Sequence, residues 1–352
     1  MITDRILGVM SGSSLDGADL ACCRFEYLNG RWDYFIEAAE TVPYSDEWKA
    51  KLLQSMDMSG HELMLLHFRY GRYLGDLCRN FNDRHGTDPQ YISSHGHTVF
   101  HRPDIKLTFQ LGSGPAMAAS SGLPVISDFR SADVEKGGQG APLVPAGDKL
   151  LFGEYEYCLN LGGIANISVD KDGLRIAHDI CPVNMVLNHL AMQAGRSFDI
   201  DGIISRSGKI DRELLQMLDK VPWYTKRPPK SLGREYVTEH FLNIIDGSDL
   251  STEDKMRTYS EHAARRIGEM LKGTEGTRAL VTGGGAFNRF FMELLREKTS
   301  CRLVVPEAEL VEFKEALIFA FLGILRLNHL PNCLSSATGA ASDSSSGSIC
   351  HP

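Results

Sequence analysis

The 352-residue chain is longer than one hydrophobic core usually serves, which predicts two domains. An apolar fraction of 43%, a charged fraction of 23% and a formal net charge of −8 are typical of a soluble globular protein, and they argue against non-specific binding to nucleic acid or to an anionic membrane. The eight cysteines are scattered without a CxxC pair, and no apolar run approaches the roughly 20 residues of a membrane span. We therefore expect reduced thiols and a cytoplasmic location.

The first part of the chain opens with a strand, a glycine turn and a second strand over residues 1–28. Helical spacing of apolar residues follows over 46–85, and a short strand over 91–100 then enters a polar loop. A short helix over 114–122 and a buried strand over 123–129 complete this part. The stretch MSGSSLDGAD (10–19) is thus predicted to form a turn between two strands.

A second pattern of strand, glycine turn and strand begins at 155–176, which suggests a duplicated α/β unit, although glycine hairpins are common. Helices are predicted over 183–219 and 254–272. A strand, three glycines and an amphipathic helix follow over 278–295, and a buried apolar helix over 312–327. The Ser-, Ala- and Gly-rich stretch 335–348 has the composition of a mobile tail.

Three glycine turns, at 8–17, 162–163 and 283–285, have the composition of phosphate-binding segments. Glycine lets backbone amides approach a polyphosphate, small hydroxyls add donors, and nearby carboxylates can hold Mg²⁺ through water. The opening stretch matches neither a Walker loop nor a GxGxxG turn, whereas TGGGAFN (282–288) precedes a helix whose N-terminal end would favour an anion or a polar base edge. Together the turns predict one nucleotide bound in a cleft between two domains.

The motifs resemble those of the acetate and sugar kinase / heat-shock chaperone / actin superfamily, in which two ribonuclease-H-like domains close on ATP. More narrowly, the chain resembles the anhydro-N-acetylmuramic acid kinases. The family's GxMSGTSxDGxD, SHGQT…HxP and DFR…DxxxGGQGAPLVP signatures are similar to residues 8–19, 94–103 and 127–145, with Ser13 in place of threonine. NLGGIANIS, SLGREY, TGGGAFN and EALIFAFLG follow in the family's order.

The resemblance implies an α/β fold of two ribonuclease-H-like (actin-like ATPase) domains flanking an ATP cleft. It places the domains at 1–128 and 129–334, with a C-terminal tail from about 335 to 352 that could pack back on the first domain. It implies an ATP- and Mg²⁺-dependent kinase that opens 1,6-anhydro-N-acetylmuramic acid with water and phosphorylates O6, giving N-acetylmuramic acid 6-phosphate in peptidoglycan recycling. The expected partner is a small amino sugar, with no nucleic acid and no membrane; a homodimer is left open.

A carboxylate that activates water is the first group this chemistry needs. The family's DTGPGN segment matches DICPVN (179–184), in which the aspartate, proline and asparagine are kept while the threonine and both glycines are replaced. The resemblance makes Asp179 the general base, a role worth about 10²–10⁴-fold in rate. The alternative is that Asp179 is the N-cap of a helix, as an aspartate in that place more often is.

The resemblance also implies contacts with the sugar. Arg130 would bind the lactyl carboxylate through two parallel hydrogen bonds, and His95 would hydrogen-bond the sugar. The alternatives are a surface ion pair between Asp128 and Arg130, a first-turn helix acid at Glu315, and a metal site formed by His95, His97 and His101. The predicted substrate-binding residues are His95, His97 (where the family has glutamine), Asp128, Arg130, Asn184 and Glu315.

The remaining predicted contacts are with ATP and Mg²⁺. The metal is assigned to Asp16 and Asp19. The nucleotide-binding residues are Gly12, Ser13, Ser14, Leu15, Asp16, Gly17, Ala18, Asp19, Gly162, Gly163, Asn166, Gly283, Gly284 and Gly285. Two other functions stay open: a kinase of a different amino or anhydro sugar, suggested by Cys181, Val183 and His97, and a nucleotide-gated, chaperone-like binding protein of the same fold.

Overall fold

The computed structural model describes residues 2–12, 15–228, 230–273 and 276–352. The chain starts with seven strands and five helices. The strands are β1 (Ile2–Ser11), β2 (Gly17–Leu28), β3 (Arg31–Pro43), β4 (Tyr91–Ser94), β5 (His97–Arg102), β6 (Leu107–Leu111) and β7 (Val125–Ser127). The helices are α1 (Asp46–Leu53), α2 (Gly60–His85), α3 (Gly114–Ser121), α4 (Ser131–Glu135) and α5 (Val144–Leu151), with 3₁₀ turns at Gln54–Asp57 and Pro103–Ile105.

The middle of the chain forms a second set of elements. Its strands are β8 (Tyr157–Leu161), β9 (Ile164–Lys171), β10 (Leu174–Pro182), β11 (Arg278–Thr282) and β12 (Arg302–Val304). Its helices are α6 (Asn184–Gln193), α7 (Ile203–Ser207), α8 (Arg212–Asp219), α9 (Arg234–Val237), α10 (Asn243–Asp246), α11 (Thr252–Met270) and α12 (Arg289–Lys298). Short helical turns lie at Ile200–Gly202, Pro222–Thr225, Thr238–Leu242 and Gly284–Phe287. The chain ends with α13 (Ala308–Leu327), α14 (Ser335–Thr338) and β13 (Ser348–Cys350).

Two compact units are formed, one from Met1–Leu151 with Phe313–Pro352 and the other from Phe152–Glu312. The sequence-based division into 1–128 and 129–334 differs from this at both boundaries. Contacts within the first unit give the reason, because α5 contacts β3, and Asp148 of α5 pairs with Lys314 of α13 at 2.7 Å in a buried position. Residues 129–151 and the greater part of α13 thereby belong to the first unit.

The two units share one strand order. The first sheet runs β13-β7-β4-β1-β2-β3 and the second β10-β9-β8-β11-β12. In each, three consecutive strands form an antiparallel meander, and two later strands add in parallel beside its first strand; β13 is an extra antiparallel edge strand. This repeat confirms the prediction of an α/β chain built from a duplicated unit of the ribonuclease-H-like kind.

Helix α13 packs directly on β1 in the core of the first unit. A Cβ at Gly8 would lie 2.0 Å from the carbonyl oxygen of Ala316, so only glycine permits this approach. Buried apolar side chains surround the contact, and Ser93 of β4 donates a hydrogen bond to the carbonyl of Phe319. The described helices include none that is long and apolar enough to cross a membrane; the apolar character of α13 is explained by its burial.

Two helical predictions were too long. The segment 46–85 contains α1 and α2, because Ser59 starts a new helix through a capping box with Glu62. The segment 183–219 contains three short helices, α6, α7 and α8. Gly195 and Gly202 lie between the first two with φ of 73° and 72°, a left-handed conformation that does not continue an α-helix.

The C-terminal stretch is ordered, so the interpretation as a mobile tail, made from composition, is wrong. Strand β13 pairs with β7 at the edge of the first sheet. The side-chain Nδ2 of Asn332 also donates to the carbonyls of Leu322 and Ser346, at 3.0 and 2.8 Å. Backbone pairing and these side-chain bonds supply contacts that a Ser-rich composition does not reveal.

Candidate active site

A row of polar side chains crosses the second sheet near the ends of its strands. Asn160 of β8 lies opposite both Thr282 of β11 and Asn166 of β9. Asn166 lies in turn opposite Asp179 of β10. Opposed residues of neighbouring strands project from the same face of a sheet, so the four side chains share one face. The row brings the predicted Asn166 and Asp179 together and adds Asn160, whose only sequence signal is a polar residue in the apolar strand YCLNL.

A β-bulge in β10 places Asp179. The register of β10 against β9 shifts between Asp179 and Cys181, so Ile180 has no opposite residue. The indole of Trp223 donates to the carbonyl of Ile180 at 2.7 Å and holds the bulge. Bulges redirect the side chains beside them. Since Asp179 lies within a strand, and Val183 takes the N-cap position of α6, the N-cap interpretation of Asp179 is wrong.

One oxygen of the Asp179 carboxylate is fixed. Its Oδ2 accepts hydrogen bonds from the amide of Leu232 at 2.7 Å and from the hydroxyl of Ser231 at 3.3 Å. Burial raises the pKa of Asp179 above its usual value, while the two hydrogen bonds and the nearby Lys230 charge offset part of that rise. Among the described residues no hydrogen-bond donor reaches Oδ1.

The glycine turn after β8 is held by the start of α6. The carbonyls of Gly162 and Gly163 accept the amides of Val183, Asn184 and Met185 at 2.8–3.2 Å. The side chain of Asn184 donates to the carbonyl of Leu161 at 3.0 Å. Asn184 thus supports the turn directly, whereas the amides of Gly162 and Gly163 make no backbone hydrogen bond within the described residues.

The glycines of the turns 162–163 and 283–285 differ in whether protein packing leaves room for a side chain. A Cβ at Gly283 would lie 2.3 Å from Asn160 Oδ1, and one at Gly285 would lie 2.9 Å from Leu161, so packing requires glycine at both. At Gly162, Gly163 and Gly284 a Cβ would meet nothing closer than 3.4 Å, and the φ of these residues is not in the left-handed region. Protein packing alone does not require glycine at these three positions.

The stretch 282–288 directly precedes helix α12, as the sequence predicts, but the three glycines do not themselves form the first turn of that helix. A 3₁₀ turn (Gly284–Phe287) comes first, and α12 starts only at Arg289. The side chain of Asn288 caps α12 by accepting the amide of Phe291 at 3.0 Å. The N-terminal amides of α12 are therefore partly occupied, and a ligand at this turn would meet the glycine backbone.

In the first unit, the turn between β1 and β2 carries the predicted phosphate-binding residues. Ser13 and Ser14 lie outside the described residues. Gly12 and Leu15 flank them, and Leu15 has a φ of 60°. Asp16 is exposed to solvent. The carboxylate of Asp16, which directly precedes β2, is therefore accessible to a ligand.

The next three predicted residues lie in β2 and are more enclosed. Gly17 packs on β3, where a Cβ would lie 2.4 Å from the carbonyl oxygen of Val42. Ala18 is fully buried in the core, so only its backbone could meet a ligand. Asp19 accepts a hydrogen bond from the hydroxyl of Thr41 at 2.6 Å. Of the three, only Asp19 offers a polar side chain.

Arg130 and His95 form a part-buried polar contact in the first unit. Arg130 donates from Nε at 3.0 Å and from Nη2 at 2.8 Å to Nε2 of His95, and from Nη1 at 2.7 Å to the carbonyl of Gly140. Nδ1 of His95 lies 2.8 Å from the carbonyl of Gly96, to which it donates. Both partners of Arg130 are neutral, and no ion pair of Arg130 occurs among the described residues.

The charges agree with this geometry. Burial lowers the pKa of Arg130 to about 10, so its guanidinium is still positive at neutral pH. Burial, together with the Arg130 charge, holds the pKa of His95 well below its usual value. His95 is therefore neutral with its proton on Nδ1. The half-buried Arg130 forms no ion pair among the described residues, although the Glu315 carboxyl is close enough to interact with it, and an anionic ligand would supply a direct partner.

Glu315 and Asp19 add negative charge to the same unit. Burial raises the pKa of Glu315, and the charge of Asp19 raises it further, while Lys314 and Arg130 act in the opposite direction. The Asp19 and Glu315 carboxyls are thus close enough to interact. A cation near Asp19 would offset this excess of negative charge.

Two other predicted substrate residues are placed less favourably for binding. Asp128, with a φ of 60°, accepts hydrogen bonds from the amide and the hydroxyl of Ser131, the first residue of α4, at 3.3 and 2.6 Å. His97 is buried; burial lowers its pKa to about 4, and its Nδ1 has no partner in the described part of the chain. The three histidines at 95, 97 and 101 form no metal-binding cluster within that part.

Comparison with known proteins agrees with these motifs. A family model described as anhydro-N-acetylmuramic acid kinase matches residues 4–352. The chain is similar to the enzyme of that name from Aliivibrio fischeri, with 34% identity over 98% of this chain and 99% of the relative. It is also similar to the one from Sulfurimonas denitrificans, with 32% identity over 99% and 100% of the two chains. Among solved structures, an activator of 2-hydroxyisocaproyl-CoA dehydratase from Clostridium difficile matches with a TM-score of 0.44 and 13% identity, covering 92% of this chain and 97% of its own.

The His95–Arg130 contact predicts a specific titration. We expect the His95 ring to stay neutral at pH values where an exposed histidine is largely protonated, because burial and Arg130 both lower its pKa. Arg130→Met should raise the pKa of His95, since it removes a positive charge and two donors to Nε2. Histidine-selective NMR over a pH series measures this. Arg102→Met is the control, because Arg102 is exposed and pairs with Asp104; an unchanged His95 titration in Arg130→Met would contradict the contact.

Proposed function

Because the chain belongs to the anhydro-N-acetylmuramic acid kinase family, we propose that it is an ATP-dependent sugar kinase of 1,6-anhydro-N-acetylmuramic acid. The observation that supports this substrate is the half-buried Arg130 guanidinium, whose hydrogen-bond partners are all neutral. The proposed sugar carries a lactyl carboxylate, which is the anion that such a site lacks. The protein is proposed to work in the cytoplasm, where ATP is available and the eight free cysteines stay reduced.

Arg130 has donors left for the sugar. A guanidinium carries five N–H groups, and three of them are used by His95 and Gly140. One N–H remains on each terminal nitrogen. A carboxylate can accept both in a bidentate contact, which is stronger and more directional than a single bond. The fixed partners hold the guanidinium in place before the sugar arrives, which lowers the entropic cost of binding.

Asp179 is proposed to activate the water. The water oxygen attacks the anomeric carbon of the sugar and passes a proton to the Asp179 carboxylate, while the bond from that carbon to O6 breaks. O6 then attacks the γ-phosphorus of ATP, the bond to the β–γ bridging oxygen breaks, and ADP leaves. The fixed Oδ2 orients the carboxylate, and its raised pKa makes it a stronger base than an exposed aspartate.

ATP and Mg²⁺ are proposed to bind at the glycine turns and their carboxylates. In the second unit the amides of Gly162 and Gly163 and the backbone at Gly284 are open to a ligand, with Asn166 close by. In the first unit Gly12 to Asp19 would contact phosphate, and Asp16 and Asp19 would hold Mg²⁺ through water. Mg²⁺ needs only one or two carboxylates besides phosphate, and it would neutralise charge on the transferred group.

The other sugar-kinase interpretation loses part of its basis. Cys181 and Val183, which replace the two glycines of the family's DTGPGN segment, are fully buried in the core of the second unit. Their side chains therefore do not alter a sugar-binding surface. His97 is the remaining difference, and a panel of anhydro and ordinary amino sugars tests whether it changes the preferred sugar. A homodimer remains a prediction.

The direct test is turnover. Incubation with ATP, Mg²⁺ and 1,6-anhydro-N-acetylmuramic acid should yield equimolar ADP and N-acetylmuramic acid 6-phosphate. Mass spectrometry in ¹⁸O-labelled water should place one label on the anomeric hydroxyl, because water opens the acetal. ADP formed without any sugar phosphate would refute the proposed function.

Asp179→Asn should lower kcat by at least about two orders of magnitude, the scale of one general base, while ATP binding is kept. In the unchanged protein the acid limb of the pH–rate profile should lie above that of an ordinary aspartate, because activity needs the ionised carboxylate and burial raises its pKa. Asp172→Asn, on the turn between β9 and β10, is the matched control and should keep normal turnover. Near-normal turnover by Asp179→Asn would assign the base to another residue.

Gly163→Ala should weaken ATP binding about tenfold while leaving the free energy of unfolding nearly unchanged. The added methyl would meet no protein atom closer than 3.8 Å, so any loss reports a ligand that needs the space. Gly60→Ala, where a Cβ meets nothing within 4 Å, is the control for stability and activity. Nucleotide titration by calorimetry measures the effect, and unaltered ATP affinity would exclude the 162–163 turn from the nucleotide site.

A further inference from the structure

Asp133 is a completely buried carboxylate of α4 that none of the proposed steps uses. Its Oδ2 accepts the amide of Gly140 at 2.7 Å. Its Oδ1 accepts the hydroxyl of Thr338 at 2.8 Å and the thiol of Cys333 at 3.1 Å. Buried carboxylates are rare unless they are paired or hydrogen-bonded, and here neutral donors from two distant parts of the sequence satisfy both oxygens.

Gly140 connects Asp133 to Arg130. Its amide is bonded to Asp133, and its carbonyl accepts Nη1 of Arg130 at 2.7 Å. A shift of the Gly140 residue would therefore change the orientation of the guanidinium. Because Arg130 uses its other bonded donors on the single nitrogen Nε2 of His95, the Gly140 carbonyl is the contact that fixes rotation about that nitrogen.

The C-terminal segment holds the loop that contains Gly140. The amide of Gln139 donates to the carbonyl of Thr338 at 2.8 Å, and that of Ala341 donates to the carbonyl of Lys136 at 3.1 Å. The segment is itself anchored, because β13 pairs with β7 and Asn332 bonds to the backbone of Ser346. Thr338 therefore presents its hydroxyl to Asp133 from a fixed support.

We propose that Asp133 and Thr338 are positioning residues that orient Arg130 through Gly140 and thereby set selectivity for a carboxylate-bearing sugar. Neither residue touches the substrate. The inference rests on the proposed function in one respect, that Arg130 binds the sugar carboxylate. It gives the C-terminal segment a role in substrate recognition, beyond completing the first sheet.

Thr338→Val and Thr338→Ser form a matched pair, since valine keeps the shape and loses the hydroxyl while serine keeps the hydroxyl. We expect Thr338→Val to raise KM for the anhydro sugar about fivefold, with KM for ATP unchanged, and Thr338→Ser to restore KM to near the original value. A general loss of stability would not separate the two substrates. Equal sugar KM in both variants would overturn the proposal.

A double-mutant cycle shows whether the effect passes through Arg130. In an Arg130→Met background, Thr338→Val should have little further effect on sugar KM, because the group it orients is gone. An undiminished fivefold effect in that background would overturn the proposal. Should Thr338→Val fail to fold, Cys333 offers a second matched pair, because its thiol donates to the same oxygen of Asp133. Cys333→Ala removes this donor and Cys333→Ser keeps one, so the sugar KM should rise in the alanine variant and stay near the original value in the serine variant.

One measurement is independent of turnover. The Nε–H of Arg130 donates to His95, so its exchange with solvent can be followed by ¹⁵N NMR. Exchange should be faster in Thr338→Val than in Thr338→Ser. If the unchanged protein has no kinase activity, the proposed function fails while this difference still supports positioning; identical exchange in the two variants overturns positioning whatever the activity.

Discussion

The first unit depends on one electrostatic constraint, the half-buried guanidinium of Arg130, which forms no ion pair among the described residues. Removing a cation from water is costly, and neutral hydrogen-bond acceptors repay only part of that cost. Arg130 is nevertheless held by His95 and Gly140, and its pKa stays high enough to keep the charge. Such an arrangement is expected where an anion binds, because the ligand supplies the missing charge and the protein fixes the direction from which it binds.

The surrounding structure is organised around that constraint. Strand β4 leads into His95, strand β7 leads into Arg130, and the loop after α4 brings Gly140 to the guanidinium. Asp133 and Thr338 then tie the loop to the C-terminal segment. A chain of hydrogen bonds therefore runs from Thr338 through Asp133 and Gly140 to Arg130, the proposed carboxylate-binding residue.

In the second unit, one sheet carries both the Asp179 carboxylate and the Gly162–Gly163 turn, and each keeps polar atoms that no described residue binds. The bulge at Ile180 sets the direction of Asp179, and Leu232 fixes one of its oxygens. The start of α6 occupies the carbonyls of Gly162 and Gly163 and leaves their amides open. The Oδ2 atom of Asp179 and the carbonyls of both glycines thus have protein partners, whereas Oδ1 of Asp179 and the two glycine amides remain available to a ligand.

The sequence predicted the parts of this structure that depend on short, continuous motifs. The two strand–turn–strand openings, the apolar helix α13 and the segments that carry Asp179 and Arg130 were found in this way. The bulge at Ile180 was not, because it depends on the register of β10 against β9. The bond from Asp133 to Thr338 joins two ordinary polar residues far apart in the chain, and no local pattern indicates it. The prediction of a mobile C-terminal tail was wrong for a similar reason. Composition does not show that β7 has an edge with which β13 can pair.

The most direct measurement is a comparison of binding between 1,6-anhydro-N-acetylmuramic acid and its lactyl carboxamide by calorimetry, without nucleotide. The two ligands differ only in the charge and acceptor capacity of the group that Arg130 is proposed to bind. A charged hydrogen-bonded contact predicts that the carboxylate binds about tenfold or more tightly than the amide. Equal affinities would show that Arg130 does not recognise the carboxylate and would contradict the role given to this half-buried cation.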